Sequence, residues 1–179
     1  RLQAVPIAWR AAGLQRGMAV MRVLVAGGAG FVGSHLSERL ANDGHQVCIA
    51  DNLSTGSWNN VLQLTALNKV EIREHDVVDK LQGEFDLIFN LACPAAPPHY
   101  QSDPLKTLRT SVMGTDNLLA LATACGATFV QASTSEVYGD ALEHPQTESY
   151  WGNVNPTGIR ACYDEGKRAA ETLCFDYAR

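Results

Sequence analysis

Short apolar runs alternate with longer amphipathic stretches along most of this chain. Five runs predict buried β-strands, because each is short, apolar and bounded by turn-forming or polar residues. They cover residues 22–26, 46–50, 69–73, 85–92 and 127–133. Their apolar positions are largely continuous rather than alternating, which indicates strands that are covered on both faces.

Helical patterns fall between and after these strands. Apolar residues recur every four positions between residues 31 and 43, and a second helix is predicted over residues 104–125. The closing segment, residues 160–179, also has a helical pattern. Since strands alternate with helices, the predicted fold is α/β, a doubly wound parallel sheet of the Rossmann type.

Composition narrows the functional classes. The chain has 179 residues, a net charge of −5 and no cluster of lysines and arginines, which argues against nucleic acid as a partner. No apolar run reaches the roughly 18 residues of a membrane span. The five cysteines form no C-x-x-C pair and the histidines are scattered, so we expect reduced thiols, no metal site and a cytoplasmic location.

The first twenty residues differ from the rest. They contain three arginines and no acidic residue, whereas "MRVLVAGG" at Met21 leads directly into the first strand. We therefore expect residues 1–20 to be a leader upstream of a domain that covers residues 21–179.

A glycine-rich turn follows the first strand. Gly27, Gly30 and Gly33 lie between that strand and the first helix, where glycines allow a tight bend, close approach to a pyrophosphate and close helix packing. Asp51 ends the second strand, where a carboxylate can accept hydrogen bonds from a ribose hydroxyl and would repel a 2′-phosphate. The constellation predicts NAD rather than NADP, although Asp51 alone could also simply start a turn.

A tyrosine and a lysine are spaced one helical turn apart near the end of the chain. Tyr163 and Lys167 share a helix face, and a nearby ammonium would lower the pKa of the phenol and make it a general base. A solvated lysine beside a core tyrosine would have the same spacing. The segment "ASTSEVYG" ends the fifth strand, so Thr134, Ser135 and Glu136 are expected to face the same cleft.

Together these motifs identify a resemblance. The glycine spacing, Asp51, "STSEVYG" and the Tyr-x-x-x-Lys pair resemble the extended short-chain dehydrogenase/reductases that act on nucleotide sugars. Within that family, "PAAPPHY", "DPLKTLRTSVMGT", "HPQTESYWGNVNP" and "RACYDEGKRAAET" are most similar to the UDP-glucuronate decarboxylase (UDP-xylose synthase) branch. The match runs over residues 21–179.

The resemblance implies roles for particular residues. The positions implied to hold NAD are Gly27, Gly30, Phe31, Val32, Gly33, Asp51, Asn52, Ser54, Thr55, Gly56, Asp76, Val77, Leu91, Cys93, Thr110, Ala132, Tyr163 and Lys167. The positions implied to contact UDP-glucuronate are Tyr100, Arg109, Asn117, Tyr163 and Tyr177. The implied catalytic set is Tyr163, Lys167, Thr134, Ser135 and Glu136. Two positions depart from the family: Cys93 replaces a small hydroxyl residue, and Arg109 replaces a lysine.

The implied activity is NAD-dependent decarboxylation of UDP-glucuronate to UDP-xylose through a 4-keto intermediate. Related 4,6-dehydratases carry an aspartate at the position of Ser135, and 4-epimerases usually lack the acid at Glu136, so both are second choices. The family's enzymes continue into further strands and a C-terminal substrate domain, both absent from this sequence. A non-catalytic NAD-binding fragment is therefore a third hypothesis, and the complete protein is expected to form a homodimer.

Overall fold

The computed structural model describes residues 19–179. The leader expected over residues 1–20 thus lies almost wholly outside the described residues. The strands are Arg22–Ala26 (β1), Gln46–Asp51 (β2), Val70–Glu74 (β3), Leu87–Asn90 (β4) and Thr128–Gln131 (β5). The α-helices are Phe31–Asn42 (α1), Pro97–Ser102 (α2), Pro104–Arg109 (α3), Thr115–Cys125 (α4) and Ala161–Ala178 (α5).

The five strands form one parallel sheet in the order β3-β2-β1-β4-β5. The chain winds outward from β1 to β3 and then crosses back to place β4 on the other side of β1. The neighbours β1 and β4 therefore mark the point where the strand order reverses. In open α/β sheets the ligand crevice lies at this point, outside the carboxyl ends of the strands.

Each face of the sheet has its own core, which confirms the doubly wound prediction. Alternate residues of β1 point to opposite faces, with Leu24 and Ala26 in one core and Val23 and Val25 in the other. Leu118 and Ala122 of α4 cover the first face, while Ala41 of α1 packs on the second. Because both faces are covered, the central strands could be apolar throughout.

The predicted strand positions are confirmed, but the last two strands are shorter than the apolar runs. Phe85 is buried in the core yet lies before β4, so its hydrophobicity reflects packing rather than sheet pairing. Short elements were not predicted: α2 and the 3₁₀ turns Trp58–Asn60, Leu62–Ala66 and Ser135–Tyr138.

The helix predicted over residues 104–125 forms as α3 and α4 joined by a π-helical segment, Thr110–Gly114. Gly114 packs so closely that a Cβ there would lie 2.5 Å from Cγ2 of Val77. Ser111 packs on α5, where a Cβ on Gly166 would lie 2.9 Å from the Ser111 Cβ. Such π segments occur often at functional sites, and this one connects the loop after β3 with α5.

Two further findings concern the chemistry of the chain. All five cysteines are free thiols. None of the helices within residues 19–179 is both long enough and apolar enough to cross a membrane.

Candidate functional site

The turn after β1 needs its glycines. Gly27 has a left-handed backbone (φ 76°), and a Cβ there would lie 2.8 Å from the Ala92 nitrogen in the loop after β4. A Cβ on Gly33 would lie 2.2 Å from the Gly27 carbonyl oxygen. The turn is therefore pressed between the loop after β4 and the first turn of α1, as the glycine spacing predicts.

The N-terminus of α1 opens at the crevice. Gly30 caps the helix without a side-chain hydrogen bond, and its first turn contains no acidic residue. Phe31 and Val32 expose 80% and 63% of their surface, so their contribution to a ligand site comes from backbone N–H groups. An uncapped helix N-terminus with this geometry suits a pyrophosphate.

Asp51 organises both loops around the turn. One of its carboxylate oxygens accepts a hydrogen bond from the Ala29 N–H (3.0 Å) and the other from the Leu53 N–H (2.8 Å). The Ala29 carbonyl in turn accepts from the Ser57 N–H (3.1 Å) and Asn60 Nδ2 (2.8 Å). Asp51 thus starts a turn and also presents a carboxylate at the end of β2; the two readings of this residue are compatible.

The loops after β2 and β3 are connected to each other. Asn52 Nδ2 donates to Asp76 Oδ2 at 2.7 Å, and the Ser54 N–H donates back to Asn52 Oδ1 at 3.1 Å. Thr55 is exposed in the same loop, and Gly56 approaches the glycine turn, where a Cβ would lie 3.0 Å from the Ala29 carbonyl. The cofactor residues predicted after β1, β2 and β3 therefore form one continuous surface.

Tyr163 and Lys167 are both almost fully buried in α5, at 6% and 5% exposure. Lys167 Nζ donates to the Ala132 carbonyl at the end of β5 (2.8 Å) and lies 5.9 Å from the centroid of the Tyr163 ring. Burial lowers the pKa of Lys167. The helix face predicted from the spacing is confirmed, and it packs on the carboxyl end of β5.

The expected pKa shift of Tyr163 is not found. Burial raises the pKa of this phenol, and the neighbouring Thr134 side chain only partly offsets that effect. The reason is geometric: Lys167 directs its ammonium to a backbone carbonyl, while the phenol itself loses contact with water.

The segment after β5 places its polar residues beside this pair. Thr134 Oγ1 accepts from the Glu136 N–H (3.3 Å) and caps the 3₁₀ turn Ser135–Tyr138. Glu136 forms an ion pair with Arg160, which precedes α5. Ser135 is exposed at the start of the turn.

Cys93 lies close to the Tyr163–Lys167 pair. Its Sγ is 3.2 Å from Ser111 Oγ, and burial raises its pKa while the Lys167 charge lowers it. Leu91, whose N–H donates to the Ala26 carbonyl (2.9 Å), continues the β1–β4 pairing toward Cys93. Thr110 is buried in the π segment. A thiol therefore fits at position 93 without distorting the site.

The predicted substrate residues separate into two groups. Tyr100 is fully buried and stacks on Tyr163, with ring centroids 4.9 Å apart and planes at 7°. Arg109 is exposed at the end of α3.

Asn117 and Tyr177 do not join the Tyr163–Lys167 pair. Asn117 Nδ2 donates to the carbonyls of Val77 (3.0 Å) and Val78 (2.8 Å), so it fastens α4 to the loop after β3. Tyr177 donates to Asp116 Oδ1 at 2.8 Å, and it lies 14 residues beyond Tyr163, about 21 Å along the helix axis. Both side chains therefore have structural partners within the chain, and their contact with the substrate stays a prediction.

Two residues of the site were not predicted. Arg160 pairs with Glu136, and Asp164 shares a cleft with both. The sequence did contain a signal, because Arg160 and Asp164 are four residues apart, a spacing at which side chains share a helix face.

Comparisons with known proteins agree with this geometry. The model of the "NAD dependent epimerase/dehydratase family" matches residues 23–179. UDP-glucuronic acid decarboxylase 1 of Arabidopsis thaliana is 56% identical over 159 residues, covering 89% of this chain and 37% of the relative. UDP-glucuronic acid decarboxylase 1 of Xenopus tropicalis is 54% identical over 158 residues, covering 88% and 38%. This chain thus spans well under half the length of these curated relatives.

A solved structure of a UDP-galactose 4-epimerase superposes with a TM-score of 0.76 at 34% identity, covering 89% of this chain and 52% of the epimerase. The superposition extends over nearly the whole described chain and supports the Rossmann-type assignment.

Proposed function

This chain belongs to the NAD dependent epimerase/dehydratase family, and we propose that it is the cofactor-binding and Tyr/Lys-bearing portion of a UDP-glucuronate decarboxylase. The observation that carries the proposal is the Tyr163–Lys167 pair beside Thr134 and Glu136 at the carboxyl end of β5. The 56% identity to a UDP-glucuronic acid decarboxylase supports the same reading.

The residues around the crevice fit NAD. The cradle between Gly27 and Gly33 has no room for a Cβ, and the uncapped α1 N-terminus suits the pyrophosphate. Asp51 would accept from a ribose hydroxyl and disfavour the 2′-phosphate of NADP. Asn52, Thr55 and Gly56 would border the same ribose. The loop carrying Asp76 and Val77 would border the adenine.

Residues near α5 would bind the other half of the cofactor. The surfaces of Leu91, Cys93, Thr110 and Ala132 would face it, and Lys167 would also bond its ribose. When bound, NAD supplies a hydride acceptor that returns the hydride later in the cycle.

The chain's own residues would handle the protons of the reaction. Tyr163 would take the proton of the sugar 4-hydroxyl, and Thr134 would hold that hydroxyl in place. The resulting 4-ketone lies β to the carboxylate, so CO2 can leave while its electrons are delocalised as an enolate. Glu136 would assist loss of CO2 and protonation at C5, which leaves the 4-ketone in place. Return of the hydride to C4, with the proton that Tyr163 took, would then give UDP-xylose.

The sister activities rank lower for chemical reasons. Ser135 stands where the 4,6-dehydratases carry an aspartate, and Glu136 is an acid that 4-epimerases usually lack. The third candidate is an NAD-binding fragment without turnover, since the chain covers only 37% of its Arabidopsis relative.

The partners of the complete protein are also proposed. UDP-glucuronate would contact Tyr100 and Arg109 beside Tyr163. A homodimer would use the helical faces of residues 105–125 and 160–179, where Leu105, Met113 and Phe175 are exposed. The free cysteines suit a reducing compartment, and we propose a cytoplasmic location.

A proton NMR time course of UDP-glucuronate with this chain and catalytic NAD tests the proposal. We expect the anomeric signal of UDP-xylose to appear, and to be absent with Tyr163→Phe. A UDP-galacturonate signal instead would identify a 4-epimerase.

If the spectrum does not change, calorimetric titration with NAD shows whether the chain binds the cofactor without turnover or does not bind it. Binding without turnover would support the fragment hypothesis, and the assay would then be repeated on a longer form of the protein. No binding of NAD would contradict the proposal altogether.

A further inference from the structure

A cleft of about 610 Å³ opens at the N-terminal end of α5. Its walls are the start of α5, the turn after β5 and the loop that precedes α5. Glu136, Arg160 and Asp164 are the charged side chains that meet in it, together with Asp140 on the opposite loop. Two carboxyl groups, Glu136 and Asp164, therefore lie in a cleft that contains one guanidinium; we call these two groups the carboxyl pair.

Arg160 is committed to Glu136, which leaves Asp164 short of a partner. Arg160 forms its ion pair with Glu136. The Asp164 N–H donates to the Arg160 carbonyl at 3.1 Å, which fixes Asp164 next to that ion pair. Oδ1 of Asp164 is buried and has no hydrogen-bond partner in the described chain. A buried carboxylate oxygen without a donor is costly when ionised.

Tyr100 independently indicates that buried polar groups at this cleft lack hydrogen-bond partners. The residue is fully buried, and its hydroxyl has no partner among residues 19–179. Burial raises its pKa, Arg160 lowers it, and Glu136 and Asp164 raise it, which places the hydroxyl among these three charges. Since the Tyr100 ring stacks on Tyr163, Tyr100 connects the carboxyl pair with the proposed base.

The groups that face Asp164 come from several elements. They are Glu136 after β5, Arg160 before α5, Tyr100 on α2, and Glu165 and Cys162 on α5. Burial, then the neighbouring Glu136 carboxyl, raise the pKa of Asp164 to about 6, against the lowering effect of Arg160. The N-terminus of α5 would favour the ionised form, so burial and Glu136 outweigh it.

We propose that Glu136 and Asp164 hold one proton between them, and that Asp164 is a positioning residue that keeps Glu136 able to protonate the sugar. This inference rests on the proposed decarboxylation. The O–H bond of the carboxyl pair breaks as a C–H bond forms at C5 of the enolate. Both carboxylates are then ionised beside Arg160, and water returns the proton after the product leaves.

The direct test is a carboxyl-carbon NMR titration of the 179-residue chain labelled at Asp and Glu. Glu136→Gln is expected to lower the titration midpoint of Asp164 by about one pH unit or more, because a like charge is removed. Asp140→Asn removes a carboxylate from the same cleft and should leave the Asp164 midpoint unchanged. An Asp164 midpoint that does not move with Glu136→Gln would overturn the proposal.

This titration needs no turnover, so it gives an answer even if the proposed reaction is wrong. If Asp164→Asn fails to fold, Glu136→Gln alone decides the coupling. The role in the reaction is read from the pH profile of the form that turns over UDP-glucuronate. With Asp164→Asn the high-pH limb of kcat should move to lower pH while KM changes less than about twofold. An unmoved limb would overturn the positioning role.

Discussion

The two ends of the crevice are built differently. Around the glycine turn, polar groups are paired within the chain: Asp51 accepts from two backbone N–H groups, and Asn52 donates to Asp76. Around α5, buried polar atoms lack partners in the described chain, among them the Tyr100 hydroxyl and oxygens of Asp164 and Glu165. Apart from the N–H groups at the uncapped start of α1, folding pairs the polar groups named in the first region. In the second region, several buried groups find no partner among residues 19–179.

The pKa directions show the same contrast. Burial raises the pKa of Tyr163 and lowers that of Lys167, so burial disfavours the charged form of each group. Each shift is a cost of holding a charge in that position. A binding surface can be satisfied in advance, whereas groups that must change charge during a reaction cannot be optimised for one protonation state.

The largest expected effect comes from removing the buried charge of α5. Lys167→Met should lower turnover by about 10²–10³-fold, because the phenolate loses its electrostatic support. The free energy of unfolding should stay within about 1 kcal/mol, since loss of the Ala132 hydrogen bond is offset by relief of desolvation. Product formation by NMR and urea unfolding measure the two quantities.

The exposed Lys80→Met is the matched control for that variant. It removes a lysine charge from the surface and should change neither turnover nor unfolding. If Lys167→Met unfolded the chain as strongly as a core cavity does, the contrast between the two regions would be wrong.

The next largest effect is expected from a substitution at the glycine turn. Gly33→Ala would place a Cβ 2.2 Å from the Gly27 carbonyl oxygen, which is backbone and cannot rotate away. We expect a loss of about 3 kcal/mol in the free energy of unfolding, as overpacking of a rigid site gives, together with loss of NAD binding. Urea unfolding followed by circular dichroism is the measurement.

Gly30→Ala serves as the control, because a Cβ there would lie 3.3 Å from the same oxygen. Its free energy of unfolding should lie within about 1 kcal/mol of that of the wild type. Equal losses in the two variants would show that the turn is generally sensitive rather than closed at Gly33.

The contrast also explains what could be predicted from sequence. Strand positions, the glycine turn and Asp51 depend on local patterns, since a buried strand must be apolar and a tight turn needs glycine. The role of Asn117 could not be predicted, because its partners, the carbonyls of Val77 and Val78, belong to a loop 39 or 40 residues earlier. The same holds for the Tyr163 pKa, which depends on how deeply α5 packs.

A smaller effect tests that structural role. Asn117→Ala removes two hydrogen bonds to buried backbone and should cost about 1–2 kcal/mol in unfolding. Because its amide is directed to Val77 rather than to the sugar cleft, KM for UDP-glucuronate should change less than about twofold. Urea unfolding and initial rates measure the two quantities. A large rise in KM with unchanged stability would restore Asn117 as a substrate residue.

The smallest effect is a pH dependence of the free energy of unfolding, which arises in the region around α5. The pKa of Asp164 is raised from 3.8 to about 6, so the folded chain binds this proton more tightly than the unfolded chain. The stability it contributes is therefore fully present below pH about 4 and is lost as pH rises through about 6. Since Asp164 is only partly buried, the change is modest.

Urea midpoints at several pH values between 4 and 7 measure this effect by difference. Asp164→Asn cannot ionise, so subtracting its profile from that of the wild type cancels the carboxyl groups that do not interact with Asp164. The region around the glycine turn contributes little to this difference, because Asp51 is present in both proteins. We expect the wild type to lose stability relative to Asp164→Asn as pH rises through about 6. A difference that stays flat over this range would show that Asp164 is no more costly to ionise than an exposed carboxylate, and the two ends of the crevice would then be alike.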